Sequence, residues 1–266
     1  MRNSCIAVRP LSGAGGAEIS GTDVARDLDA ATISKIRAAL NEYCVVFFRD
    51  QDLDVERHKA FARCFGEIFV HPLLRETTVD PEVVMVRREP GDTSYFGESW
   101  HADTTLCAEP PMGTILYGID VPPYGGDTLF ANQYLAYETL SDGMKEMLGG
   151  LGAVHCHPGQ ANSQAADETQ TVHPVVRTNP ETGRKMLFVN EYHTSRFDGM
   201  TEAESRPLLN FLFEHGNRPE FTFRFRWRKG SIAFWDNRST KHIALGDTGP
   251  FRRLMRRIQI SGDRPA

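Results

Sequence analysis

Short strand-like runs separated by glycine and proline turns dominate the pattern of apolar and polar positions. The clearest is "EFTFRFRWRKG". Phe221, Phe223, Phe225 and Trp227 share one face, and Thr222, Arg224, Arg226 and Arg228 share the other. That two-residue period predicts a half-buried strand. "CVVFF" (Cys44 to Phe48) is apolar throughout and predicts a buried strand. "CIAVRPL" followed by the glycine-rich "SGAGGAEISG" predicts a strand, a turn and a second short strand. "EVVMVRRE", "TILYGIDV", "TLFAN", "SIAFWDN" and "FRRLMRRIQIS" add further strands, and "VHPVVRT", "NPETG" and "KMLFVN" together predict a hairpin.

Helical spacing is confined to a few segments. From Asp29 to Tyr43, Ile33, Ile36, Ala39 and Leu40 fall on one face. "DLDVERHKAFARCFG" begins at Asp54 as a cap and stops at Gly66. "QYLAYETLSDGMKEML" is broken or recapped at Ser141. "TEAESRPLLNFLFEHG" carries Thr201 and Glu204 as a capping box and ends at Gly216. Many short strands with few helices predict a mainly β chain, a sheet sandwich or barrel decorated by helices. From Gly149 to Thr171 the pattern is weak, and the polar stretch 156–171 reads as a loop or lid over an active site.

Composition narrows the class. The chain has 266 residues, 40% hydrophobic and 24% charged, which fits a single globular domain over 1–266. Its net charge of −5 argues against nucleic acid and acidic membranes as partners. Only "FRFRWRK" and "RRLMRR" speak the other way, and a half-exposed strand accounts for the first. The five cysteines are odd in number and widely spaced, as expected of reduced thiols in a cytoplasmic protein. No segment reads as a signal peptide or a membrane span. The glycines of "SGAGGAEISG" lack the spacing and following helix of a dinucleotide loop.

Candidate chemistry starts at "SWHADTT". His101 and Asp103 stand two apart, so a strand would point both to one side. Two ligands hold a divalent metal poorly. His242, in "WDNRSTKHIAL", is the best third candidate. Two histidines and one carboxylate leave up to three positions open on an iron(II) centre, which suits dioxygen chemistry beside a bidentate co-substrate. Each residue alone also fits a local role: His101 as a satisfied buried histidine, Asp103 as a turn cap, His242 as a partner of Asp236. In "FRRLMRRI", Arg253 and Arg257 share one face and Arg252 and Arg256 the other. An arginine turned inward needs an anion, either a bound carboxylate or one of the protein's own acids.

Taken together, "CFGEIFVHPLL", "ESWHADTT", "EPPMGTILYGIDVPPYGGDTLF", "VHPVVRTNPETGRKMLFVN", "WDNRSTKH" and "RRLMRR" resemble the taurine and aryloxyalkanoate dioxygenases over essentially the whole chain. These are iron(II)- and 2-oxoglutarate-dependent enzymes. The resemblance implies a double-stranded β-helix, a jelly-roll, cupin-like barrel with flanking helices. It implies iron(II) as cofactor, held by His101, Asp103 and His242, with 2-oxoglutarate as co-substrate and dioxygen as oxidant. Thr128 matches a threonine on the 2-oxoglutarate carboxylate, and Arg253 the arginine on its distal carboxylate. Arg257 matches the arginine that holds the substrate anion in sulfonate-using members, and His71 a substrate-facing histidine. The implied reaction is hydroxylation of a small anionic molecule, a sulfonate or aryloxyalkanoate, with cleavage following where the hydroxylated carbon carries a leaving group. A homodimer or homotetramer is expected. A non-oxidative metal enzyme or a metal-binding protein on the same barrel is the alternative.

The substrate positions depart from the taurine enzymes. Leu74 replaces a tyrosine, Gly97 an asparagine, and His157 and His193 two phenylalanines. These changes point away from taurine itself and toward another anionic substrate. "VVMVRREPGDTSYFGESWHADTT" is closer to the aryloxyalkanoate branch.

Overall fold

The computed structural model describes residues 6–71, 79–157 and 170–266. Leu74 and residues 158–169 of the expected lid at 156–171 lie outside them. The chain is mainly β with a few helices. An eight-stranded sheet runs in the order β1 (Ala7–Ser12), β2 (Gly15–Ser20), β3 (Val45–Phe48), β14 (Ile232–Asp236), β6 (Gly113–Asp120), β16 (Arg253–Ile260), β4 (Ile68–Phe69). Its remaining strand, β5 (Val84–Arg88), also pairs with β16. A three-stranded sheet faces it: β13 (Thr222–Phe225), β7 (Thr128–Asn132), β15 (Thr240–Ala244). A second trio comprises β12 (Thr194–Phe197), β8 (Gly152–Cys156) and β9 (Gln170–Pro174), and β10 (Val176–Thr178) pairs with β11 (Lys185–Leu187). Among the described residues, none of these sheets closes on itself.

Alternation within the large sheet divides its side chains between two layers. Val46 and Phe48 of β3 and Ile232 and Phe234 of β14 face outward, under helices α1 (Ala30–Tyr43) and α2 (Val55–Arg63). Val45, Phe47, Ala233 and Trp235 face inward, against Phe130, Phe223 and Phe225 of the small sheet. Phe47 and Phe225 stack with centroids 4.0 Å apart, a contact worth about 1 kcal/mol beyond its buried area. Helices α3 (Gln133–Glu138), α4 (Asp142–Leu148) and α5 (Glu202–Gly216) enclose a third cluster around Leu148, Phe197, Leu209 and Leu212.

Caps fall where the sequence places them. Asp29, Asp54, Ser141 and Thr201 all accept from backbone N–H groups, and Thr201 and Glu204 form the full capping box. Helix α2 ends at Arg63 rather than Gly66, because its last residues tighten into i→i+3 bonds: Cys64 N–H to Phe61 O and Phe65 N–H to Ala62 O. The expected strand through Trp227 stops at Phe225, although Trp227 stays buried. Arg224 on its other face pairs with Asp127 at 2.6 Å and Asp247 at 3.6 Å, so the protein's own acids serve it. The weak stretch after Gly149 contains a strand, β8. Ala153, Val154, His155 and Cys156 are all buried, so the polar alternation that marks half-exposed strands is missing. Among the described residues no helix is long and apolar enough to cross a membrane.

Candidate active site

His242 lies on β15, opposite Phe130 of β7. His101 belongs to no strand, yet its backbone pairs with that of His242. His101 N–H donates to His242 O at 3.0 Å, and His242 N–H to His101 O at 2.8 Å. Residues so paired project to the same side, and the two rings stand 4.1 Å apart between centroids. Asp103 follows, just before a left-handed residue, Thr104 at φ 53°. All three side chains are buried, and their ligand atoms lie within 4.8 Å of one another.

Asp103 is held on every polar atom. The Asn237 side chain accepts from its N–H at 2.6 Å and donates to its carbonyl at 2.9 Å. Thr114 donates to Oδ2 at 2.7 Å, and Arg257 Nη1 to Oδ1 at 3.2 Å. Burial by itself would raise this carboxyl, but Arg257, His242 and His101 outweigh it and hold the pKa at about 2. Burial lowers His101, and it pushes His242 down to about 3. The 3.7 Å contact between His101 and Asp103 is therefore between a neutral imidazole and a carboxylate.

Two neutral imidazoles and one ionised carboxylate are the states a divalent cation requires. His101 Nδ1 lies 2.7 Å from Ser99 O. A carbonyl only accepts, so Nδ1 carries the proton and Nε2 keeps its lone pair for a metal. Among the described residues, His242 Nδ1 is buried with no hydrogen-bond partner, as are Trp235 Nε1, Arg253 Nε and Arg257 Nε around it. The donor set fits iron(II). Two of the local alternatives do not hold. Asp236 is engaged by Arg238, at 2.9 Å from Nε and 2.8 Å from Nη2, not by His242. The carboxylate of Asp103 caps no turn among its hydrogen bonds.

Two recesses open beside this cluster. The larger, about 280 Å³, brings together His71, Gly97, His157, His193 and Arg257 with the edge formed by His101 and Asp103. Gly97 has φ +85°, and a Cβ there would come within 3.3 Å of the His101 ring, so both backbone and space favour glycine. His193 sets Nδ1 on Cys156 O at 3.2 Å, and burial pulls its pKa down to about 4. The smaller recess, about 30 Å³, joins Thr128 and Arg253 to His242. Thr128 Oγ1 accepts from the Trp227 indole at 2.9 Å. Indole N–H only donates, so the threonine proton is free for another acceptor. Arg253 is buried, its Nε has no partner among the described residues, and burial draws it down to about 10.

Of the residues predicted from sequence, Leu74 alone lies outside the described structure; the rest gather in these two recesses. The sequence reading missed Thr114 and Ser99, whose only signal is a hydroxyl or carbonyl near a ligand in space. It also missed the cavity walls Tyr95, Phe96 and Tyr192.

Two histidines and a carboxylate, set between facing β-sheets and beside a recess with an unneutralised arginine, define a non-haem iron oxygenase that takes an acidic co-substrate. Residues 7–259 match the family described as "Taurine catabolism dioxygenase TauD, TfdA family". The chain belongs to that family, whose chemistry uses iron(II), 2-oxoglutarate (alpha-ketoglutarate) and dioxygen. It is 36% identical to an alpha-ketoglutarate-dependent sulfate ester dioxygenase of Pseudomonas putida, over 97% of this chain and 90% of that one. It is 29% identical to an alpha-ketoglutarate-dependent 2,4-dichlorophenoxyacetate dioxygenase of a Burkholderia species, over 89% and 88%. The crystal structure of a taurine dioxygenase from Burkholderia xenovorans superposes with a TM-score of 0.87 at 42% identity, covering 98% of this chain and 91% of that one.

Proposed function

We propose that this protein couples oxidative decarboxylation of 2-oxoglutarate to hydroxylation of a small organic anion, at the carbon next to its anionic or ether group. We also read the two facing sheets as the double-stranded β-helix of that class. The observation that carries the proposal is the buried cluster of His101, Asp103 and His242 with a basic recess on either side.

In this reading His101, Asp103 and His242 hold iron(II). When bound, the iron supplies the dioxygen chemistry. The chain's own residues position and exclude. Arg253 and the free hydroxyl proton of Thr128 hold the distal carboxylate of 2-oxoglutarate. Arg257 and His71 face the substrate anion. His193, neutral and donating Nδ1–H to Cys156, keeps Nε2 as an acceptor for a substrate hydroxyl or amide. Phe96 and Tyr192 line the same recess with aromatic surface. Substrate, dioxygen and 2-oxoglutarate give hydroxylated product, succinate and carbon dioxide. Where the hydroxylated carbon carries a sulfate ester, a sulfonate or an aryloxy group, the product collapses to a carbonyl and releases sulfate, sulfite or a phenol.

Anaerobic titration tests this. Iron(II) followed by 2-oxoglutarate should produce a weak visible charge-transfer band, lost in His101→Ala and Asp103→Ala. Sulfate esters, sulfonates and aryloxyalkanoates are then added in turn, and the one that perturbs the band marks the substrate class. Folded, metal-loaded protein that gives no band overturns the proposal.

A further inference from the structure

Strand β5 places a second guanidinium beside Arg253. In the antiparallel pairing of β5 with β16, Arg88 is the direct partner of Arg253. Directly paired residues point to the same side of a sheet. Val86, two residues before Arg88, lines the recess that holds Arg253 and Thr128. Period-two geometry therefore sets Arg88 on the recess side.

Like charges directly opposite one another destabilise a sheet. Among the described residues, neither guanidinium has a carboxylate within ion-pair distance, and Arg253 Nε and Arg88 Nη1 are both buried without a hydrogen-bond partner. The acid acting on Arg253 is Asp127, and Asp127 is already bound by Arg224 at 2.6 Å. Arg88 lies over the Tyr95 ring at 4.6 Å, a contact that holds its side chain but brings no negative charge. Arg253 lines the recess and Arg88 is paired beside it on the same side of the sheet; two cations with two orphaned donors are complementary to a carboxylate, which has two oxygens and about four lone-pair sites.

We propose that Arg88 is a second anion-binding residue for the distal carboxylate of 2-oxoglutarate, acting with Arg253 and Thr128. The inference rests on the reading of that recess as the co-substrate site. It also gives Arg88 a positioning role: Tyr95, beneath its guanidinium, lines the substrate cavity. A carboxylate that draws Arg88 inward thus acts on a wall of the neighbouring recess.

The test is calorimetric titration of anaerobic, Ni(II)-loaded protein with 2-oxoglutarate and with 2-oxopentanoate, in which a methyl group replaces the distal carboxylate. Arg88→Met should weaken 2-oxoglutarate about tenfold, the scale of one charge-assisted hydrogen bond. It should leave 2-oxopentanoate within about twofold. Arg88→Lys keeps the charge and should fall between, and it serves as the folded control if Arg88→Met is unstable. If Arg253→Met weakens 2-oxoglutarate while Arg88→Met and Arg88→Lys match the parent, the role of Arg88 is overturned and the site reading stands. If Arg253→Met also leaves 2-oxoglutarate unchanged, the recess is not the co-substrate site and both fall.

Discussion

Asn237→Ala should damage both stability and metal binding. Asn237 is 1% exposed. Its amide makes three hydrogen bonds to the backbone: from Asp103 N–H at 2.6 Å, to Asp103 O at 2.9 Å and to Pro111 O at 3.1 Å. Alanine leaves one buried donor and two buried acceptors without partners. At about 1–3 kcal/mol each, partly relieved by relaxation or a trapped water, the loss should be about 3–5 kcal/mol. That is a large share of the roughly 5–15 kcal/mol that stabilises a whole domain. The same bonds fix the backbone beneath the carboxylate ligand, so metal affinity should fall by about 10- to 100-fold. Urea unfolding of metal-free protein gives the first quantity, and a competitive chelator titration of folded protein the second. Asn237→Asp separates them further, because it keeps the acceptor and turns two donors into a repulsion against two carbonyls. If Asn237→Ala unfolds at the parent's urea midpoint and binds metal with the parent's affinity, the clamp has no energetic meaning and the reasoning is wrong.

Other predictions follow from single contacts. Trp227→Phe keeps an aromatic side chain, though a smaller one, and removes the N–H that orients Thr128; the KM for 2-oxoglutarate should rise about threefold to tenfold with kcat preserved, read from initial rates. His173, bonded to Thr105 O and Cys107 O, is pushed by burial down to about 4. The unfolded chain, near 6.5, takes up the proton first, so the stability held above about pH 6.5 drains away as pH falls toward 4, by up to about 3 kcal/mol. His173→Gln should flatten the pH dependence of urea unfolding over that window, and parallel curves would rule the assignment out. Lys241→Met strands the half-buried Glu191, which lies 3.2 Å from Nζ; denaturant unfolding should show a loss of about 2 kcal/mol, part of it recovered on adding Glu191→Gln.

What the sequence disclosed depended on whether a role belongs to a residue type or to a neighbourhood. His101, Asp103 and His242 stood out because only a few side chains ligate metals, and strands such as β13 because their alternation is local. Helix caps were legible for the same reason. Nothing local reveals that Asn237 spans 134 residues to grip Asp103. Thr114 and Trp227 are equally silent, since a buried strand threonine and an aromatic are ordinary in their settings. Strand β8 was overlooked because burial on both sides removed its alternation. Arg88 was hidden within a strand that signalled only its secondary structure, and its partner Arg253 became visible as a neighbour only through the register of β5 on β16.

The reciprocal backbone bonds between His101 and His242 bear on how the protein acquires its metal. The ligand pair is completed not by a side-chain rearrangement but by the docking of β15, whose sequence lies late in the 266 residues. During synthesis, His101 and Asp103 emerge long before their third partner exists. A nascent chain can offer only two of the three donors until His242 has left the ribosome and β15 has paired. The complete donor set is thus available only once β15 has paired, and a chain truncated before His242 lacks the third donor.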